Sequence, residues 1–272
     1  MIRILSIFAG LFFVVGLAVS FVTGAYTAAT EPVPETAEHA LHKHPKELEL
    51  ASNGVGGHFD RQQLQRGFAV YQEVCASCHS LSYVSYRDLA ALGYDQDEVK
   101  AIAAKATVNA KDPLTGELKD RPGMPADHFP PVVYAGQGHP PDLSLITKAR
   151  HDGPAYVYSL LTGYSSQTPA MLAKFPAIKT PDGLHYNPYF ANLNIAMPPP
   201  LTSDGQVTYS DGTPATIDQM AKDVAAFLVW TAEPKLDKRH QTGFAVLGFL
   251  LFATILAYMA KRNVWAAVGG DH

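Results

Sequence analysis

Two cysteines and a histidine stand together as Cys75-Ala76-Ser77-Cys78-His79, and the 272-residue chain holds no other cysteine. C-x-x-C-H is the attachment sequence of a c-type haem. Two thiols separated by two residues reach one edge of a porphyrin and add to its vinyl groups. The histidine that follows is thereby placed under the iron as an axial ligand. A zinc site would need further cysteine or histidine ligands in a matching pattern, and no third cysteine exists. A thioredoxin-type pair belongs in a βαβ context, whereas this motif stands at the end of a helical pattern. The expectation is one haem c, bound covalently through Cys75 and Cys78, with His79 on its iron.

The iron's sixth position decides the chemistry. A methionine or second histidine there gives an electron carrier, while an open site permits ligand or peroxide chemistry. Of the six methionines, Met1 begins the chain and Met259 falls in an apolar run of membrane length. Met220 lies on the apolar face of an amphipathic stretch and Met171 sits in Ala170-Met171-Leu172, where methionine reads as packing. Met124 and Met197 remain, both in proline-rich loops. Met197 begins Met-Pro-Pro-Pro, and successive prolines keep that segment extended and stiff. Stiffness favours Met197 over Met124, and His128 and His185 stay open as alternatives.

Several elements must position these groups. Asp60 is an N-cap for a helix to about Val74, with Leu64, Phe68, Tyr71 and Val74 in one apolar stripe. A second helix is predicted from Gln96 to about Thr107, capped by Asp95, with Val99, Ile102, Ala103 and Ala106 on one face. The stretch 111–141 contains seven prolines and reads as loop. Tyr156 to Leu161 reads as helix, 180–200 as proline-rich loop, and Asp211-Gly212 as the turn of a small hairpin. A last soluble helix begins at Thr216, with Gln219 completing a capping box. Its apolar face carries Ile217, Met220, Ala221, Val224, Ala225 and Leu228.

Composition agrees with this loop-rich picture. Charged residues make up 17% of the chain, below the usual quarter, and 21 glycines with 20 prolines exclude a coiled coil or a bundle with short connections. A net charge of −4 and a pI near 6.2 lack the basic surplus of a nucleic-acid binder, so no nucleic-acid partner is expected. After Arg3, an uncharged run from Ile4 to Val22 leads into small residues up to Ala29, which reads as a cleavable export signal over 1–29. Gly243 to Ala260 holds eighteen residues without charge or proline, about 27 Å as a helix, and reads as a transmembrane segment over 242–260. Lys261, Arg262 and an interfacial Trp265 follow it. Between these runs, 30–57 reads as an exposed approach segment in which His39, His42 and His44 are solvated, and 58–241 as the haem domain. The export signal places the domain outside and the 261–272 tail in the cytoplasm.

Five segments carry a resemblance: GFAVYQEVCASCHSL (67–81), PPDLSLITKARHDGPAYVYSLLTGY (140–164), YNPYFANLNIAMPPPL (186–201), DGTPAT (211–216) and AKDVAAFLVWTAEP (221–234). In this order, with an anchor behind them, they resemble the cytochrome c1 family in its bacterial form. That family supplies the haem subunit of ubiquinol–cytochrome c reductase, the cytochrome bc1 complex. The resemblance runs from about Phe59 to Trp265. It implies a mainly α fold: an elaborated cytochrome c-type haem domain with long Pro/Gly-rich loops, plus one C-terminal transmembrane helix in the bacterial inner membrane. It implies Met197 as sixth ligand, Arg150 and Tyr156 near a haem propionate, and Pro141 packed on the ring. It further implies that Gly67 and Phe68 cross the last soluble helix near Phe227 and Trp230.

The implied activity is single-electron transfer from a Rieske iron–sulfur protein to a cytochrome c. Quinol chemistry would lie on partner subunits, cytochrome b above all, in a dimeric complex. Three departures stand out: the 121–140 segment is short, no additional disulfide is available, and no long acidic insert is evident. Two other readings of the same motif are an anchored cytochrome c subunit of another respiratory complex, and a haem enzyme or sensor with an open sixth position.

Overall fold

A computed structural model describes residues 2–30, 36–111, 115–136 and 138–266. It divides into two units between Leu41 and His42. The first contains α1 (Ile2–Thr30), a helix with no buried residue, and the short α2 (Ala37–Leu41). A helix apolar on every side, with nothing packed on it, is long enough to cross a bilayer.

The second unit begins with chain laid against the domain rather than leading freely to it. Lys43 N–H donates to the Pro188 carbonyl at 2.8 Å and Lys46 N–H to Ser159 Oγ at 2.7 Å, while Lys46 Nζ reaches Thr162 Oγ1 at 2.7 Å. Leu48 and Leu50 are buried. Most other described residues of the expected approach segment are exposed, His39, His42 and His44 among them. The alternation Glu47-Leu48-Glu49-Leu50 puts two leucines inward, and the Lys46 ammonium lies over the rings of Tyr158 and Tyr189.

α3 (Arg61–Val70) starts as predicted, with Asp60 Oδ1 accepting from Gln62 N–H at 2.9 Å. The helical chain then widens into one π-turn, Tyr71–Cys75, where the Tyr71 carbonyl accepts from Ala76 N–H at 2.8 Å. After a 3-10 turn at Tyr86–Leu92 comes α4 (Gln96–Ala104), capped by Asp95, with Glu98 returning to Asp95 N–H at 2.8 Å. α4 stops three residues short of the expected end because Thr107 opens a strand. β1 (Thr107–Lys111) pairs antiparallel with β2 (Leu118–Pro122), from Thr107 opposite Pro122 to Lys111 opposite Leu118. β2 lies within the 111–141 stretch that was expected as loop. Val108 and Ala110 alternate with exposed polar residues in β1, whereas β2, Leu-Lys-Asp-Arg-Pro, is largely exposed and carries no such alternation.

α5 (Ile146–Ala149), α6 (Gly153–Leu161) and α7 (Pro169–Lys174) come next, then the two-residue strands β3 (His185–Tyr186) and β4 (Asn194–Ile195), which pair with each other. The Asp211-Gly212 hairpin does not form. Gly212 takes φ +76° in a turn, but Asp211 accepts from Thr213 N–H and from Arg66, Tyr209 is drawn into the core, and Pro214 cannot donate to a ladder. α8 (Ile217–Ala232) has the predicted face and the Thr216 cap. The expected capping box closes by half, because Gln219 sends its amide to Asp223 instead of back to Thr216. α9 (Leu236–Trp265) buries Leu236 alone and is long and apolar enough to cross a membrane. Of the expected tail, 267–272 lie outside the described residues.

The core forms where α3 crosses α8. A Cβ placed on Gly67 would sit 2.1 Å from the Asp223 carbonyl oxygen and 2.6 Å from the Phe227 Cβ, so only glycine lets the two helices touch. Phe68 and Tyr71 pack on Phe227 with ring centroids 5.5 and 5.8 Å apart, and Trp230 stacks on Phe227. Asp223 is fully buried beside this crossing and is matched by donors: Arg66 Nε at 2.9 Å, Gln219 at 2.8 Å and Gln63 at 3.2 Å. A buried carboxylate so satisfied is tolerated, whereas an unpaired one is not. Gly67→Ala is expected to lower the unfolding free energy by about 1–3 kcal/mol, read as a lower urea midpoint of the full chain at unchanged slope.

Candidate haem site

The π-turn hands the chain to the motif. Cys78 N–H and His79 N–H both donate to the Cys75 carbonyl, at 3.1 and 2.9 Å, so both thiols and the imidazole ride on one tight turn. π-turns inside helices recur at functional sites. Both cysteines are free and partly accessible. Burial, then the neighbouring Cys78, pushes the Cys75 thiol up to about 12. Among the described residues no group of three or more His, Cys, Asp or Glu is placed to hold a metal ion.

His79 is held from two sides. The buried Tyr71 hydroxyl donates to its backbone carbonyl at 2.9 Å. Its ring Nδ1 lies 2.7 Å from the Pro141 carbonyl. A carbonyl oxygen can only accept, so Nδ1 carries the proton and Nε2 keeps its lone pair for a metal. This is the outer-shell arrangement that fixes a ligating histidine's tautomer and ring orientation. Pro141 therefore contributes its carbonyl to the site, a role the sequence did not reveal.

Segments 80–83 and 141–144 are laced together behind that bond. Leu143 N–H donates to the Ser80 carbonyl at 2.9 Å, and Tyr83 N–H to Ser144 Oγ at 3.1 Å. Asp142 takes Ser82 N–H and Ser144 N–H, both at 2.8 Å. Burial opposes its charge, but the bonds from Ser144 and Ser82 outweigh it and hold the carboxyl below the ordinary range.

The opposite wall is built on α6. Asn187, fully buried, donates to the Leu160 carbonyl at 2.8 Å and caps the helix end. Gly163 lies so close to Tyr189 that a Cβ would come within 2.3 Å of its ring. Leu193, buried at φ +64°, closes the turn back into β4, and such left-handed non-glycine residues gather at functional sites. Two residues past β4 comes Met197, half-buried, with its carbonyl accepting from Tyr164 at 3.0 Å.

The segment 138–141 joins the two walls. A Cβ on Gly138 would stand 3.4 Å from the Ala196 Cβ, and Pro141 bonds His79. Three residue steps span at most about 11 Å, so the imidazole and the Met197 loop lie across a narrow interval. Of the other candidates, His185 pairs with Ile195 beside the Met197 loop. Met220 is packed inside α8, Met171 is half-buried in α7, and Met124 is half exposed with its N–H on Asp127. His128 is exposed and bridged to Ser85, and His185 is half-buried in β3.

Arg150 is exposed, with Nη1 on its neighbour's carbonyl. Burial raises the Tyr156 phenol above its ordinary value, and Arg150 lies close enough to offset part of that rise. Tyr156 in turn adjoins Tyr164. Tyr71, Asp142, Tyr164 and Asn187 thus shape the site without having been legible in the sequence. Each acts through a backbone group distant in the chain. An open groove of about 630 Å³, lined by Tyr164, Leu172, Lys179, His185 and Pro199 among others, does not reach Cys75 or His79.

Two free thiols on one turn, an imidazole presenting Nε2 and a thioether loop across a narrow interval fit a haem. For Asp142 the stability gained from its lowered carboxyl is present above the unfolded value, about 3.9, and is lost as pH falls through the lower folded value. Asp142→Asn is expected to weaken the domain at neutral pH and to flatten its acid unfolding below about pH 4, followed by circular dichroism.

The sequence profile of the Cytochrome C1 family matches residues 50–268. Cytochrome c1 of Rhodospirillum rubrum is 42% identical over 246 residues, covering 84% of this chain and 89% of that protein. The mitochondrial haem protein cytochrome c1 1 of Arabidopsis thaliana is 43% identical over 256 residues, covering 91% of this chain and 80% of its own. A Bradyrhizobium diazoefficiens protein named cytochrome b/c1 is 45% identical over 236 residues, 78% of this chain and 34% of that longer protein. A profile match over residues 50–268, with identity at this level over most of the chain, makes it a member of the cytochrome c1 family.

Proposed function

We propose that the chain is the haem-bearing electron-transfer subunit of a quinol–cytochrome c reductase of the bc1 type. The observation that carries this reading is the His79 Nδ1 bond to Pro141, which leaves Nε2 free on the same turn as the two thiols. Cys75 and Cys78 hold a haem c through two thioether bonds. The haem supplies a reversible one-electron couple. His79, its tautomer and orientation fixed, and Met197 would be the residues that hold the iron, a pairing that would raise the potential and suit electron transfer. Arg150, with the Tyr156 phenol beside it, offers charge-assisted binding to a propionate. Pro141 packs against the ring while its carbonyl orients the imidazole.

The chain takes single electrons from a Rieske iron–sulfur protein and passes them to a cytochrome c. Quinol oxidation belongs to cytochrome b, a partner consistent with the joined name of the Bradyrhizobium relative, and the complex is dimeric. The apolar helix Leu236–Trp265 anchors the domain in a bacterial inner membrane. Residues 1–29 act as an export signal that is removed, the domain stands in the periplasm and the tail after residue 260 in the cytoplasm.

Met197→Ala is expected to lower the midpoint potential by about a hundred millivolts or more. An unchanged potential in a redox titration would remove Met197 from the iron. Replacing Cys75 and Cys78 together by Ala is expected to make the haem extractable into acidified organic solvent, while the parent retains it on a denaturing gel. Affinity isolation of the chain from gently solubilised membranes is expected to bring b-type haem absorbance and a Rieske EPR signal with it. Isolation of c-type haem alone, from membranes containing both others, would overturn the assignment to the complex.

A further inference from the structure

The backbone around Met197 has few ways to hold itself in place. Pro198, Pro199 and Pro200 carry no N–H, and the β3–β4 pairing ends at Ile195. From Ala196 to Pro199, one hydrogen bond ties the backbone among the described residues, and it is donated by the Tyr164 hydroxyl to the Met197 carbonyl at 3.0 Å. Prolines fix the shape of this segment, but shape alone does not fix its position. A tether to another element is needed, and the phenol is that tether.

Tyr164 is itself firmly placed. It leaves α6 directly after Gly163, whose lack of a side chain allows contact with Tyr189, and Ser165 N–H bonds the Tyr186 carbonyl at 3.4 Å. Asn187 locks the same strand pair to the end of α6. Tyr164 thus stands just past the end of α6 while Met197 stands on the loop. The His79 side uses the same device, with the Tyr71 hydroxyl on the His79 carbonyl at 2.9 Å.

We propose that Tyr164 is the positioning residue for Met197, its hydroxyl holding the loop carbonyl so that the thioether stays within bonding distance of the iron. This rests on Met197 being the sixth ligand. Tyr164 acts through Met197, without touching the iron. Removing the hydroxyl while keeping the ring forfeits one hydrogen bond that the bound loop makes and the released loop does not. The equilibrium for release of Met197 then rises roughly two- to tenfold.

The test uses the full chain in solubilised membranes and compares Tyr164→Phe, Met197→Ala and Tyr158→Phe. The last loses a comparable phenol bond, to Asp218, away from the Met197 loop. Carbon monoxide binding to the reduced haem reports an iron with its sixth position released. The sulfur-to-iron charge-transfer absorption of the ferric form reports the intact bond. Both are taken per haem, so a lower yield does not enter. Tyr164→Phe is expected to raise carbon monoxide binding two- to tenfold at subsaturating gas and to weaken the absorption, with Tyr158→Phe at the parent's level and Met197→Ala fully reactive. Tyr164→Phe matching the parent, or moving no further than Tyr158→Phe, while Met197→Ala reacts fully, overturns the role of Tyr164 and leaves Met197 as ligand. Met197→Ala behaving as the parent overturns the sixth-ligand reading, and this proposal with it.

Discussion

The rest of the domain hangs on the contact at Gly67. Because nothing projects from that position, α3 and α8 approach until backbone meets side chain, and the aromatic rings of Phe68, Tyr71 and Phe227 close over the crossing. The end of α3 is thereby fixed in space. The π-turn and the Cys75–His79 turn continue directly from that end and have no freedom to wander. Asp223 shows how tight the crossing is: its carboxylate is wholly inside the protein and is satisfied by Arg66, Gln63 and Gln219. An ion placed there adds little net stability, but it permits few other alignments of the two helices.

On this frame the site consists of two walls that are individually short of regular structure. One is the turn at His79, the other the loop that carries Met197. Neither has a ladder of its own, so each borrows rigidity. His79 takes it from Pro141 and Tyr71, and the Met197 loop from Tyr164, Asn187 and its own prolines. The short segment 138–141 touches both walls and sets how far apart they stand.

Local features were the ones legible in the sequence. The Cys75–His79 motif, the Asp60, Asp95 and Thr216 caps and the inward face of α8 each depend on neighbours within one or two turns. The π-turn was hidden because its residues carry the same apolar rhythm as the helix before it. The β1–β2 hairpin was hidden because the alternation in β1 is only five residues long and β2, largely exposed, has none. The Lys43–Leu50 strap looked like polar linker, since its partners, Pro188, Ser159 and Thr162, lie more than a hundred residues away. Asp211-Gly212 misled for the same reason: Arg66, remote in the chain, recruits the aspartate that a hairpin would have used. Asp142 and Tyr164 bond backbone groups, and backbone groups leave no trace in residue identity.

The joint between domain and anchor has a mechanical meaning. Asp237, in the first turn of α9, accepts from Phe59 N–H at 3.0 Å, His240 Nδ1 lies 2.8 Å from the Gly57 carbonyl, and Leu236 is buried. Glu233 ties Lys148 and Arg239 across the same corner. The apolar helix therefore leaves the domain as a clamped beam and not as a tether. A body mounted in this way keeps its tilt and height over the surface that holds the beam. In the proposed role, a carrier mounted in this way contributes little motion of its own, and the approach that electron transfer needs falls to its partners.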